Sequence, residues 1–134
     1  MSLSSAIYDA LTGASSKNWG NRVFPMERPQ AQGTPSLVYT IESEEPEQTH
    51  SEDLKYYVAD VDVTAYTDDH SDGLTSKIYV IQALNRQTIT DSSSVKYDVL
   101  LESSSTTVAA PTDGSDRPVF LTQILFRVRY NDAH

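Results

Sequence analysis

The feature that most constrains the fold is a two-residue alternation along residues 55–67, KYYVADVDVTAYT. Every second residue from 57 to 65 is apolar, and the residues between them become increasingly polar. A strand with this pattern places one face on a core and the other toward solvent, as in an antiparallel sheet. Residues 36–43, 95–102 and 118–130 alternate in the same way, so four long strands are predicted.

Two helices are predicted from apolar residues at helical spacing. In the first, residues 3–12, one stripe consists of Leu3, Ile7, Ala10 and Leu11. In the second, residues 73–86, the stripe consists of Leu74, Ile78, Ile81 and Leu84. Either Ser71 or Asp72 is expected to cap the second helix. The first helix is too short to stand alone, and both stripes need the same face of a sheet.

The order of these elements predicts an α+β fold in a single domain over residues 1–134. We expect an antiparallel sheet, or else a mixed one, of about four to five strands. One long and one short helix pack on one face of this sheet. Residues 22–24 form a brief extended piece that ends at Pro25. The polar residues 103–117 predict a loop or the tip of an extended hairpin.

The charge balance narrows the possible partners. The chain has 10 Lys and Arg against 19 Asp and Glu, a net charge of −9. This argues against a nucleic-acid footprint and against docking on an anionic membrane, since both need a basic face. With no cysteine, disulfides, thiolate nucleophiles and Cys-ligated zinc are excluded. Apolar runs are too short to span a bilayer and the N-terminus lacks signal-peptide features, so we expect a soluble, cytoplasmically folded protein.

Tests for catalytic and cofactor motifs are negative. The five glycines are too scattered for a dinucleotide fingerprint or a P-loop. A zinc or acid–base site would have to assemble across loops, because the histidines are His50, His70 and His134. Residues 68–73 begin like a calcium loop, but the twelfth position is Tyr79 instead of a bidentate Glu. We favour surface histidines and a helix cap, and we predict no catalytic, cofactor-binding or metal-binding residue.

Two further features each leave two interpretations open. Asp60 and Asp62 share a strand face, and they are either a catalytic carboxylate pair or, as we favour, partners of Arg127 and Arg129 on another strand. Trp19 beside a glycine is either a loop anchor on the core, which we favour, or a binding hot spot.

The order of sequence motifs resembles a known family. AIYDALTG is followed by NRVFP, a Pro-rich loop, PSLVYTIESEEPEQTH, the strand VADVDVTAYT and a helix ending in KIYVIQALN. Over residues 3–86 this resembles the small tail-completion, or tail-terminator, proteins of long-tailed, siphovirus-like bacteriophages and prophages. The resemblance implies a virion protein, assembled in the bacterial host cytoplasm. It implies no enzymatic activity and no cofactor.

The resemblance also implies a set of partners. Such proteins form a ring, usually a hexamer, at the head-proximal end of the tail tube, where the ring stops tube growth. The implied partners are other copies of the chain, the tail tube protein and a neck or head-completion protein. DNA would pass through the ring without sequence-specific binding, and an acidic lumen would repel its phosphates.

By analogy with such rings, three segments are expected to make the contacts: the Pro-rich loop 25–35, the acidic segment 42–53 and residues 103–117. The acidic segment is either an assembly surface or a solvated loop. The candidate interface residues are Pro29, Gln32, Glu44, Glu45, Glu47, Glu52, Asp53, Arg127 and Arg129.

Two other functions remain open at this point. A head–tail connector, or adaptor, of the neck would share the size of this chain and its lack of catalytic motifs. A small α+β enzyme or ligand-binding module would need a concave pocket with convergent polar groups and shifted pKa values.

Overall fold

The computed structural model describes residues 3–20, 22–25, 35–46, 56–91, 93–109 and 119–131. Within these ranges the chain forms two helices and six strands. Their bounds in chain order are α1 (Leu3–Thr12), β1 (Val23–Pro25), β2 (Ser36–Pro46), β3 (Tyr56–Thr67), α2 (His70–Leu84), β4 (Thr88–Thr90), β5 (Lys96–Ala109) and β6 (Val119–Asn131).

The strands form one sheet in the order β1-β2-β3-β6-β5-β4. β1 pairs with β2 in parallel, and every other pair is antiparallel. The α+β class is confirmed. The sheet is mixed, which was the alternative to the favoured antiparallel arrangement, and it has six strands instead of the predicted four to five. β4 was missed, and β1 was expected only as a brief extended piece, because three residues are too few to display alternation.

The sheet curls around α1. β1 and β4 lie at opposite edges of the sheet, yet α1 contacts both of them. β-bulges interrupt β2 after Ile41 and β5 after Leu101. Both bulges lie on one level of the sheet, because Ile41 pairs with Val61, Val61 with Phe126, and Phe126 with Leu101. Bulges increase the local twist, so they help the sheet to bend at this level.

Trp19 connects α1 to this curled sheet. Its side chain is fully buried, and its Nε1 donates a hydrogen bond to the carbonyl oxygen of Leu11 at 3.0 Å. This bond satisfies one of the carbonyl groups that the end of α1 leaves without a helical partner. The interpretation of Trp19 as a loop anchor is therefore confirmed.

α2 buries only part of the stripe that its sequence predicts. Leu84 is buried and Ile81 packs partly buried against the core, but Leu74 and Ile78 are 40% and 52% exposed. Nearer the N-terminus, the buried residues are Gly73, Ser76 and Val80. A methyl group at Gly73 would lie 2.9 Å from Thr122 Oγ1, so the sheet approaches α2 too closely for a larger residue.

The ends of the elements also differ from the sequence-based boundaries. The N-cap of α2 is Asp69, whose carboxylate accepts a hydrogen bond from the Ser71 amide, instead of Ser71 or Asp72. β2 continues to Pro46 and β5 to Ala109. Residues 103–109 are thus strand, which agrees with the extended-hairpin alternative and not with the loop, because each of them pairs with β6. The rest of the predicted 103–117 segment lies outside the described residues.

The buried bond of Trp19 gives a test of the fold. Trp19→Phe is expected to lower the free energy of unfolding by about 1–3 kcal/mol, because the Leu11 carbonyl loses its donor and a small void remains. Urea denaturation measures this change. Tyr8→Phe, at a side chain that is 39% exposed, is the control and should change stability by less than about 0.5 kcal/mol. Equal stability of the Trp19 variant and the wild type would contradict the anchoring role.

Candidate interaction surface

The candidate interface residues fall into three groups. Pro29, Gln32, Glu47, Glu52 and Asp53 lie outside the described residues. Glu44 and Glu45 lie on β2. Glu45 pairs through its backbone with Val58 of β3, and the side chain of Glu44 is exposed. Arg127 and Arg129 are exposed on β6.

The structure does not bring the described candidates into one patch. Glu44 pairs with Ala59, whose side chain is buried in the core beneath the helices. Arg127 pairs with Asp60, one residue further along β3. Since side chains alternate between the two faces of a strand, Glu44 and Arg127 lie on opposite faces of the sheet.

Arg127 is the centre of a row of charges on the face without helices. Its Nε lies 2.9 Å from Glu102 Oε1 on β5 and 3.7 Å from Asp60 Oδ1 on β3. Ser43 on β2 donates a hydrogen bond to the second oxygen of Asp60 at 3.2 Å. The row therefore crosses four neighbouring strands, and Asp60 is confirmed as a partner of Arg127.

Asp62 has a different environment from Asp60. It is 9% exposed, and its two oxygens accept hydrogen bonds from Thr64 Oγ1 and from Gln123 Nε2. Register places it opposite Leu125. The two carboxylates thus serve separate polar contacts across the sheet, and the predicted pairing of Asp62 with an arginine is wrong.

A shallow groove adjoins the row of charges where β4, β5 and β6 meet. It has a volume of about 470 Å³. The charged side chains in its wall are Arg86, Asp98, Arg127 and Arg129, and Leu100, which is 54% exposed, adds an apolar edge. Sequence reasoning found the two β6 arginines but not Arg86 and Leu100, which come from other elements. The groove concentrates positive charge on an acidic chain.

The turn between β4 and β5 is organised by Asp91. Its carboxylate accepts hydrogen bonds from the Tyr97 hydroxyl at 2.8 Å and from the amides of Ser93 and Val95 at 2.8 and 3.1 Å. Burial raises the pKa of Asp91, but these bonds outweigh it and the pKa is lowered from 3.8. Burial and the nearby Asp91 charge raise the pKa of Tyr97. The Tyr97 ring also packs against Tyr130, 4.8 Å away. This cluster fixes the turn.

Two stretches of strand edge are open among the described residues. β1 pairs with β2 only at residues 37–39, and β4 pairs with β5 only at residues 96–98. The outer edges of residues 40–46 and 103–109 therefore have no strand beside them in the described part of the chain. Unpaired edges present backbone donors and acceptors to other chains. The exposed residues Leu74 and Ile78 add an apolar surface on α2.

The residues considered for metal binding do not converge. In the described ranges, no group of three or more His, Asp and Glu side chains could hold a metal ion. His70 begins α2 and lies with its ring 5.9 Å from that of Phe120. The residues that begin like a calcium loop thus enter a helix at His70. His50 and His134 lie outside the described residues. No helix in the described ranges has the length and apolarity to span a membrane.

Comparison with known proteins gives a similarity in fold but no match in sequence. Neither a protein-family profile nor a curated protein matches the chain. Among solved structures, the fold is similar to that of a chain described as "Virion of native gene transfer agent (GTA) particle", with a TM-score of 0.66. The similarity covers 96% of this chain and 94% of the other, at 14% sequence identity. It establishes a shared fold across nearly the whole chain.

The hydrogen bonds to Asp91 predict a dependence of stability on pH. Because its folded pKa is below 3.8, the ionised form stabilises the fold above the unfolded pKa. This contribution is lost as the pH falls through the folded value. The urea midpoint should therefore fall less between pH 7 and pH 3 for Asp91→Asn than for the wild type. Tyr97→Phe, which removes one of the bonds, should lie between the two. Identical losses in all three proteins would contradict this role.

Arg127 gives a test of whether the row of charges is needed for folding. Its side chain is 58% exposed, and those of Asp60 and Glu102 are 43% and 35% exposed. Exposed ion pairs contribute little, so Arg127→Gln should change the free energy of unfolding by less than about 1 kcal/mol. Urea denaturation at low and high salt measures this change. A loss above about 2 kcal/mol would show that the row of charges is needed for folding.

Proposed function

We propose that this chain is a structural protein of a virion. It forms a ring, as a hexamer, at the head-proximal end of a tail tube, where it terminates tube polymerisation and offers a surface for joining the head. It has no enzymatic activity in this role and carries no cofactor. Its partners are other copies of itself, the tail tube protein and a neck or head-completion protein. DNA passes through the ring.

The observation that carries the proposal is the similarity in fold to a chain of a virion particle. A match over 96% of one chain and 94% of the other leaves no large part of either chain without a counterpart. Fold alone does not fix function. The motif order of residues 3–86, which resembles tail-terminator proteins, points to the specific role within the virion.

Two physical features of the chain support a ring. Ring interfaces are heterologous, since one patch on each subunit meets a different patch on the next. The edges at residues 40–46 and 103–109, beside which the described part of the chain has no strand, are two different patches of this kind. The net charge of −9 also suits a conduit, because like charges keep DNA from adhering to the wall.

The test of the proposal is assembly of tail-tube protein in the presence of this chain. The tube protein encoded in the same genome is polymerised with and without added chain, and tube lengths are measured by electron microscopy. Light scattering reports the mass of the chain alone. We expect shorter tubes as the ratio of chain to tube protein rises, and a ring of about six subunits on one tube end.

Two other outcomes would contradict the proposal. A chain that ignores tubes but binds the portal-side ring of the neck would be a head–tail adaptor. A strict monomer that binds neither assembly and retains a small molecule would be a ligand-binding module. Arg127→Gln, which is expected to leave folding intact, serves as a folded variant for asking whether the row of charges takes part in assembly.

A further inference from the structure

We propose that the sheet continues from one copy of this chain to the next, with residues 103–109 of β5 paired to residues 40–46 of β2 in the neighbouring copy. The inference rests on the ring proposed above and names the surface through which that ring closes. Each copy would then contact one neighbour through its β5 edge and the other neighbour through its β2 edge.

In the part of the chain that the structure describes, the outer edge of β5 is open beyond residue 101. The last described contact along the outer edge of β5 is near Leu101, whose amide donates a hydrogen bond to the Asn85 side chain at 2.9 Å. Beyond that point no described strand pairs with the outer edge, and side chains 102–108 are exposed. Residues 103–109 contain no charge and no proline, the two devices that commonly protect an edge. Another strand can pair with this stretch without burying a charge or meeting a proline.

The β2 edge has the opposite character. Its free stretch, residues 40–46, carries three acids in sequence and ends at a proline. The described side chains of Glu42 and Glu44 are exposed. Two such edges would oppose acid to acid, which disfavours pairing of β2 with another β2. The hydroxyl-rich residues 103–107 of β5 can instead donate hydrogen bonds to these carboxylates.

The positions of the two edges fit a head-to-tail contact. β1 and β4 cover diagonally opposite corners of the sheet, so the free stretches occupy the other two corners. They are of similar length. Three antiparallel steps separate β2 from β5, so the two strands run in opposite directions. Copies related by a modest rotation therefore place β5 of one antiparallel to β2 of the next. Because the two free stretches lie at diagonally opposite corners, neighbouring copies would be shifted along the strand direction, as strands are in a closed barrel.

α2 has exposed apolar residues on the helix side that bonds to β5. Positions 74, 78, 81 and 85 follow one side of a helix. Asn85 on this side accepts a hydrogen bond from the Leu101 amide of β5. Leu74 and Ile78 share this helix side with Asn85, and Val108, which is 60% exposed, lies on the free stretch of β5. A strand added along β5 would cover these three side chains. This gives a reason for apolar residues that the fold of one chain leaves in solvent.

The test changes charge at the edge without touching the core. Ser105→Glu/Thr106→Glu places acids on both faces of β5, where they would oppose the acidic β2 of the neighbour. We expect the protein concentration at which half of the chains are in rings to be about tenfold higher than for the wild type. Ser105→Lys/Thr106→Lys should assemble at least as well as the wild type. Adding Glu42→Lys/Glu44→Lys to the Glu variant should restore assembly.

Controls and contrary outcomes separate this inference from the proposed function. Ser15→Glu/Ser16→Glu adds the same charges at exposed positions away from both edges, and it should assemble normally. Circular dichroism checks that every variant is folded. If rings form equally well with Glu and with Lys at positions 105 and 106, the edge pairing is wrong, but the proposal that the chain forms a ring still stands. A dimer in place of a ring would indicate β5–β5 pairing. A wild type that never assembles would overturn the proposed function and this inference together.

Discussion

The structure depends on the contact of one short helix with both edges of the sheet. Because α1 touches β1 and β4, the sheet must curl, and two diagonal corners are drawn in toward the helix. Trp19, buried beneath the end of α1, holds this arrangement through its bond to Leu11. At the other two corners, no strand within the described ranges covers the sheet edge. The open edges are thus a consequence of how the core is closed.

The two faces of the sheet have different chemistry for the same geometric reason. Alternation directs small, β-branched and aromatic side chains of β3 and β6 toward the helices, where they form the core. The intervening residues form the row of charges around Arg127 and the groove beside it. Contacts in this row are exposed and contribute little to folding. The face without helices and the free edges are therefore available for assembly without destabilising the core.

Strand alternation predicts much of the fold, and local chemistry explains where it fails. In β3, the predicted core face is the buried one, and Asp60 meets Arg127 as expected. The first half of the α2 stripe fails because Gly73 approaches Thr122 closely, a contact that depends on tertiary packing, whereas Leu84 is buried as predicted. The polar run 103–109 left a loop and an extended hairpin both open, and β6 pairs with it along its length. Of the candidate site, the sequence indicates the β6 arginines, whereas the open edges depend on which strands end early.

The most direct test of this account is an electron cryomicroscopy reconstruction of the ring bound to a tube end. We expect a continuous sheet across each subunit boundary, with β5 of one copy and β2 of the next about 4.8 Å apart. We also expect Leu74 and Ile78 to be covered at that boundary. Subunits that meet through other surfaces, with residues 103–109 left facing solvent, would contradict the edge pairing.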